Sequence, residues 1–258
     1  SKVRDTELDS ITYIAAENQY MKGDCKNAVI GFDSYLKKFP NGSFAVNANY
    51  YKANCEMKNK NIEEALLCYN YVIGQKDNNF IENSLLQAAQ INFDLKKYQA
   101  ALSDYIELEK KAEYKANINK ALIGKMRTYF LLKKYKETIK ASDDVLKIEK
   151  NTEDIIIEAH YLKAKSAYLL SDKNLAGKEF KILSKLSKDK RGAEAQYYLS
   201  YFLFEAGKYK KAEKSAFALV DNFSSCDYWV AKSFILLADI YIKTNNDFQA
   251  KLTLQSII

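Results

Sequence analysis

Small residues recur along the chain at a nearly constant interval, each at the start of an apolar pattern that follows a short polar segment. These positions hold Ala28, Ala65, Ala101, Thr138, Ala176, Ala212 and Ala250. Successive members are 36 to 38 residues apart. A period of this length is typical of proteins in which each repeat is one supersecondary unit.

Each repeat contains two apolar runs with the three- and four-residue spacing of a helix. In the sixth repeat Tyr197, Tyr201 and Phe204 share one face of a first helix, helix A, and Ala212 and Leu219 share one face of a second, helix B. The pattern predicts an all-α chain of seven A–B hairpins. The repeats are expected at about residues 6–40, 43–77, 79–114, 116–150, 152–188, 190–224 and 226–258.

Composition agrees with helices joined by short polar turns. The 258 residues include one proline and eight glycines, against 20 tyrosines and 13 phenylalanines. A β-rich chain of this length would need more turn-forming residues. No apolar run approaches the roughly 20 residues that a membrane-spanning helix requires.

The first turn carries residues that match a known repeat family. Tyr20, Gly23, Ala28, Phe32 and Pro40 resemble the tetratricopeptide consensus, which has a tyrosine, Gly-Asp and an alanine at the turn, an aromatic residue four positions later and a closing proline. Small residues twelve positions before the turn residues fit the same consensus; they are Ala16, Ala53, Ala89, Ala164 and Ala238. The resemblance implies a right-handed α/α superhelix, a solenoid that forms a single domain over residues 1–258.

The chain departs from that consensus in three ways. Its period exceeds the roughly 34 residues usual in the family and resembles divergent bacterial repeats, including those of cell-envelope assembly factors. In the fourth repeat Met126 stands where a small residue is expected and Thr138 where an alanine is expected, which predicts looser packing there. Leu254, Ile257 and Ile258 leave the last helix without a polar cap. We therefore expect a fragment of a longer protein, with self-association as another way of covering that end.

Candidate catalytic groups are few. His160 is the only histidine, and it falls on the helix A face that packs against helix B in the fifth repeat. A single imidazole excludes histidine-rich metal sites, and no nucleophile motif lies beside it for a serine–histidine–acid triad. The glycines are never clustered, so no phosphate-binding loop can be written. The sequence predicts no catalytic residue, no metal and no cofactor, and hence a protein that is not an enzyme.

The four cysteines, Cys25, Cys55, Cys68 and Cys226, show no metal-binding or redox spacing. They are too sparse for a disulfide framework in a chain of this size, so we expect them to be small buried apolar residues. They leave the compartment open. The resemblance to envelope proteins slightly favours the bacterial periplasm or cell envelope over the cytoplasm.

In tetratricopeptide proteins the helix A residues line the concave side, where a peptide or protein partner binds. Transferring that register predicts these partner-binding residues: Tyr50, Asn54, Arg127, Phe130, Tyr161, Lys165, Tyr168, Tyr197, Tyr201 and Phe204. In the seventh repeat the register gives Lys232, Ile235, Asp239 and Ile242. Tyrosine offers a large apolar surface plus a hydroxyl, which suits an extended peptide or a helix in a groove. The alternative is that these rings only fill gaps between adjacent A helices.

The net charge of +7 comes mainly from lysine, because the chain has only three arginines. Arginine is the residue that grips phosphate and stacks on bases, so nucleic acid is disfavoured as a partner. One predicted helix B face, on the convex side of the fifth repeat, carries Lys178, Lys181, Lys185 and Lys188. The leading hypothesis is a non-catalytic scaffold for a protein or peptide partner, in bacterial envelope assembly. The alternative is a regulatory binder of nucleic acid or another acidic partner through this lysine-rich surface.

Overall fold

Fourteen α-helices follow one another through the part of the chain that the computed structural model describes, residues 2–76 and 78–256, with side chains from residue 7 onward. The all-α prediction is confirmed, since those residues contain no strand. The chain divides into two compact units, unit 1 ending at Thr128 and unit 2 beginning at Tyr129. The boundary falls within a helix of the fourth predicted repeat, and whether the whole chain is one domain stays a prediction.

The helices come in pairs that match the predicted hairpins. Unit 1 contains α1 (Lys2–Met21), α2 (Cys25–Lys38), α3 (Ala45–Lys58), α4 (Ile62–Gly74), α5 (Ile81–Asp94), α6 (Tyr98–Lys111) and most of α7 (Lys115–Leu131). Unit 2 contains α8 (Tyr135–Leu146), α9 (Glu153–Leu169), α10 (Lys173–Leu186), α11 (Lys190–Glu205), α12 (Tyr209–Asn222), α13 (Asp227–Lys243) and α14 (Asp247–Gln255). No helix among the described residues combines the length and apolar character needed to cross a bilayer.

The turn between helix A and helix B has the same backbone conformation in all seven hairpins. One residue in each turn has a positive φ between 58° and 79°; these residues are Gly23, Lys60, Lys96, Lys133, Ser171, Gly207 and Asn245. The next N–H donates to the carbonyl five positions back, as from Asp24 to Gln19 at 3.0 Å. This is the Schellman ending of a helix, which usually takes glycine. Five of the turns therefore hold a side chain in a left-handed conformation.

Small residues build the cores of the hairpins, together with a buried aromatic ring four positions after the turn alanine in four of the seven. Ala16 and Ala28 are buried, and a Cβ atom added to Gly31 would lie 2.7 Å from the Cβ atom of Ala16. Such close approach of two helix backbones is possible only with small side chains. The four buried rings belong to Phe32, Tyr69, Tyr105 and Phe180. Burial of each such ring stabilises the fold by about 1.5–3 kcal/mol.

Lysines with largely buried side chains form ion pairs between neighbouring helices at one recurring position, directly before the small residue of helix A. Lys52 on α3 lies 2.7 Å from Asp33 of α2 and 2.7 Å from Glu64 of α4. In unit 2, Lys163 on α9 occupies the equivalent position and pairs with α8 and α10. Burial alone would lower the pKa of Lys52, but its two carboxylate partners raise it above the ordinary value. The sequence pattern did not predict these ion pairs.

The cysteine prediction is wrong for two of the four residues. Cys25 and Cys55 form a disulfide, with their Cα atoms 5.0 Å apart. Cys25 is the first residue of α2, and Cys55 lies 30 residues later within α3. The two residues meet because helix B of the first hairpin packs on helix A of the second, a contact that the spacing of the cysteines does not reveal. Cys68 is a buried free thiol, as expected, and Cys226 is a partly exposed one.

The irregular fourth repeat shows no sign of the predicted looser packing at its two unusual residues. Met126 and Thr138 are both fully buried. The Thr138 hydroxyl donates to the Lys134 carbonyl oxygen at 2.9 Å, which satisfies it within its own helix. Of the three residues behind the expectation of an uncapped end, Ile257 and Ile258 lie outside the described residues. The third, Leu254, has an exposed side chain.

Candidate functional site

Six of the ten predicted partner-binding residues lie on two neighbouring helices of unit 2. Helix α9 contributes Tyr161, Lys165 and Tyr168, and α11 contributes Tyr197, Tyr201 and Phe204. Three- and four-residue spacing places each set along one side of its helix. All six side chains are partly exposed. We call this set the unit 2 face.

A buried carboxylate organises one end of the unit 2 face. Glu194 of α11 accepts a hydrogen bond from the Tyr161 hydroxyl at 3.0 Å and pairs with the Lys165 ammonium group at 2.5 Å. Burial and the Glu194 carboxylate raise the pKa of Tyr161 to about 12. Burial alone would lower the pKa of Lys165, but Glu194 raises it. At neutral pH the phenol is therefore neutral and the ion pair is intact.

Aromatic rings continue across this face from α9 to α11. Tyr168 lies 4.6 Å from the ring of Tyr198, which in turn stacks on the buried Phe180 at 4.9 Å. Tyr168 and Tyr201 line a shallow pocket of about 290 Å³. Tyr198 was not among the predicted residues, because its register assigns it to the core side. The rings thus fill gaps between helices and also keep one edge in solvent.

Helix α13 adds a cation surrounded by rings. The Lys232 ammonium group lies 5.2 Å from the centroid of Tyr197, 5.7 Å from that of Tyr228 and 5.8 Å from that of Trp229. Trp229 is the single tryptophan of the chain. The sequence register identified Lys232 but missed the two rings. Aromatic residues three and four positions before a lysine on one helix were the signal that could have found them.

In unit 1, the predicted residues are engaged with their own neighbours. Tyr50 stacks on Phe80 with ring centroids 4.3 Å apart. The Asn54 side-chain amide donates to the Tyr20 hydroxyl at 3.3 Å, and its oxygen accepts from the Tyr69 hydroxyl at 2.8 Å. Here the alternative interpretation, in which the polar and aromatic groups fill gaps between helices, describes the contacts best.

The two predicted residues of α7 lie near aromatic side chains of their own units. Arg127 is partly exposed, and its charge offsets a small part of the burial that raises the pKa of Tyr105 to about 12. Phe130 lies edge-on to Tyr135, with ring centroids 6.0 Å apart. Their role in partner binding stays a prediction.

Three of the four lysines predicted to form a lysine-rich surface lie on α10, and the fourth lies beyond its end. Lys178, Lys181 and Lys185 are exposed on α10, on the side away from the fully buried core of that helix. Lys188 lies beyond the end of α10, because the chain becomes extended at Ser187. Its ammonium group instead reaches to 5.7 Å from the Phe223 ring.

The single histidine has a structural environment. His160 Nδ1 lies 2.7 Å from Glu179 on α10, and the imidazole is 14% exposed. This confirms the predicted packing of His160 against helix B. Among the described residues, no three histidine, cysteine, aspartate or glutamate side chains are close enough together to hold a metal ion.

Comparison with known proteins finds similarity in structure only. No family model and no curated protein sequence matches the chain. The C-terminal part of a tetratricopeptide repeat protein from Cytophaga hutchinsonii is 10% identical, covers 95% of this chain and 93% of its own, and has a TM-score of 0.64. YrrB, described as a tetratricopeptide protein with an unusual peptide-binding site, is 17% identical, with 74% and 90% covered and a TM-score of 0.54.

A third similar structure is a tetratricopeptide repeat protein from Parabacteroides merdae, 17% identical, with 97% of this chain and 92% of that chain covered and a TM-score of 0.50. Identities this low establish the fold and nothing more. The fold of this chain is that of the tetratricopeptide repeat proteins.

Proposed function

We propose that this protein is a non-catalytic scaffold that binds a peptide segment of a protein partner on the unit 2 face. The observation that carries the proposal is the row of half-exposed rings Tyr197, Tyr201 and Phe204, which lies beside the shallow pocket between Tyr168 and Tyr201. Rings already held by neighbours lose little conformational entropy when a partner covers them. YrrB, with the same fold, is described as having a peptide-binding site, which supports the proposal.

The non-catalytic part of the proposal rests on how the reactive groups are used. The only imidazole, His160, is held by Glu179 and is mostly buried. Burial raises the pKa of the Cys68 thiol to about 11, which makes it a poor nucleophile at neutral pH. Burial raises the pKa values of Tyr161, Tyr197 and Tyr201, to about 12 for Tyr197, so that these three phenols remain neutral donors and acceptors.

We further propose that the protein acts in the bacterial cell envelope, on the oxidising side of the membrane. The Cys25–Cys55 disulfide supports this placement, because disulfides persist in the periplasm and are reduced in the cytoplasm. Two of the similar structures come from bacteria, Cytophaga hutchinsonii and Parabacteroides merdae. A role in envelope assembly is the corresponding hypothesis for the partner.

A second candidate function uses the exposed lysines of α10. Lys178, Lys181 and Lys185 are solvent-exposed and lie on one side of that helix, which suits an acidic partner or nucleic acid. Binding to immobilised DNA or RNA at physiological salt, lost on Lys178→Glu, would support this candidate over the peptide scaffold.

The test of the scaffold proposal is selection of a phage-displayed random dodecapeptide library on the full chain. We expect enriched peptides whose binding falls at least about tenfold with Tyr201→Ala, since a hot-spot aromatic contributes roughly 2 kcal/mol or more. Tyr114→Ala is the matched control, because Tyr114 is 70% exposed and lies in unit 1. Circular dichroism should give the same helix content for both variants. Equal affinities of Tyr201→Ala and wild type would refute the proposal.

A further inference from the structure

Most charges at the centre of the unit 2 face are already neutralised within the protein. Lys165 pairs with Glu194, and at the edge of the pocket Lys173 pairs with Glu205 at 3.0 Å. A partner that approaches these groups meets little net charge. Recognition by charge must therefore come from groups that lack such a partner.

Helix α13 carries two such groups. Lys232 contacts aromatic rings, and within the described part of unit 2 it has no carboxylate partner. The rings attract the ammonium group without neutralising its charge, and they remove part of its hydration. Its three N–H donors therefore stay available to a carboxylate from outside the chain.

The second group is Asp239, two helical turns further along α13. Its side chain is exposed, and no hydrogen bond or ion pair joins it to a described residue. Seven residues of helix separate the two charges by about 10 Å at 1.5 Å per residue. Ile235 lies between them at 48% exposure and Ile242 lies beyond at 51% exposure, on the same side of the helix. We call these four residues the α13 stripe.

We infer that the α13 stripe selects a peptide with one acidic and one basic side chain on either side of an apolar residue. The acidic group pairs with Lys232 and the basic group with Asp239. In a peptide with the polyproline II conformation, side chains three positions apart lie on the same side, about 9 Å apart at 3.1 Å per residue. This inference rests on the proposed function and specifies the chemistry of its partner.

The same library selection tests the inference through the sequences it returns. Peptides enriched on the wild-type protein should carry Asp or Glu three positions from Lys or Arg. The affinity of the leading peptide is measured by titrating it into the protein and following Trp229 fluorescence. Lys232→Glu should lower this affinity about tenfold, as expected for the loss of a charge-assisted hydrogen bond. Replacing the acidic residue of that peptide by lysine should restore binding to Lys232→Glu and weaken binding to the wild type.

Lys178→Glu is the matched control, because it makes the same charge change on an exposed lysine of α10. Lys232→Met keeps the aliphatic stem against the rings and should give an intermediate loss even if Lys232→Glu is unstable. Equal losses from Lys178→Glu and Lys232→Glu would overturn the inference. Peptides that depend on Tyr201 but carry no acidic residue would overturn it and leave the proposed function standing. A library without binders would overturn both.

Discussion

The aromatic residues of helix A are used differently in the two units. In unit 1 they pair with each other, Tyr20 on Tyr51 at 4.6 Å and Tyr50 on Phe80 at 4.3 Å. In unit 2 the rings also pair with each other, but several of them lie beside a charged group as well, Tyr198 beside Lys165 and three rings around Lys232. The repeat pattern in the sequence is the same in both units. The comparison teaches that the repeat fixes where a side chain lies, while its neighbours decide what remains available to a partner.

The units also differ in one of the contacts that join neighbouring helices. Unit 1 has a covalent link, Cys25–Cys55, between α2 and α3. Unit 2 has a buried polar cluster in which Glu179 accepts from both His160 and Lys163, each at 2.7 Å. The first link depends on redox conditions and the second on pH. This difference can be tested by perturbing one unit at a time.

The largest effect is expected from removing the disulfide. Reduction, or the double variant Cys25→Ala with Cys55→Ala, should lower the free energy of unfolding by about 3–4 kcal/mol, because a loop of some 30 residues is no longer closed in the unfolded chain. Hydrogen exchange should localise the loss to α1–α3 and leave α9–α13 protected. Cys226→Ala in unit 2 is the control.

Thiol counting on the unfolded protein, before and after reduction, checks the same link. Two free thiols before reduction and four after it are expected, since Cys68 and Cys226 are free. Four thiols in protein taken from its own host would contradict both the disulfide and the proposed envelope location.

The acid sensitivity of unit 2 should depend on Glu179. Burial would raise the pKa of Glu179, but His160 and Lys163 lower it below the ordinary value of 4.5. Because this pKa is lowered in the folded state, the carboxylate stabilises the fold above pH 4.5. That stability is lost below pH 4.5, as the pH falls through the folded-state pKa. Glu179→Gln should therefore cost about 1–3 kcal/mol at pH 7 and much less at pH 3, as measured by urea unfolding.

Asp104 in unit 1 provides the contrast. Burial raises the pKa of Asp104 above its ordinary value, and the Asn92 amide only partly offsets this. The folded state then binds a proton more tightly than the unfolded state, so stability rises as the pH falls. Asp104→Asn should be neutral or stabilising at pH 7. A destabilisation of Asp104→Asn that matches Glu179→Gln at pH 7 would mean that the two units do not differ in this respect.

The smallest effects are expected at the left-handed turn residues. Lys60→Gly and Lys96→Gly in unit 1, and Lys133→Gly in unit 2, should each raise stability by about 0.5–1 kcal/mol, because glycine adopts a positive φ without the Cβ clash. Gly207→Lys should lower it by a similar amount. Thermal unfolding is the measurement. Gains confined to one unit would show that the turns are less equivalent than their φ values of 66°, 59° and 58° indicate.

The sequence predicted the hairpins well because their determinants are local. The small residues that follow each turn mark where α2, α4, α6, α8, α10, α12 and α14 begin, and a helix-period pattern needs no distant partner to be recognised. The sequence was less informative at the turns. Two turns have glycine at the left-handed position, Gly23 and Gly207, but no residue type in the sequence marks the lysines that adopt the same conformation in three other repeats.

By itself, then, the sequence determined the all-α class, the number and order of the hairpins, and the side of helix A on which Tyr161, Tyr197 and Tyr201 lie. The tertiary structure alone decided that Cys25 meets Cys55, that Asn54 is held by two tyrosines, and that Lys232 stands among rings. The physical reason is the sequence separation of the residues that interact. Helical periodicity is written into residues three and four apart, whereas most of these contacts join residues 15 to 35 positions apart through the packing of one helix on the next.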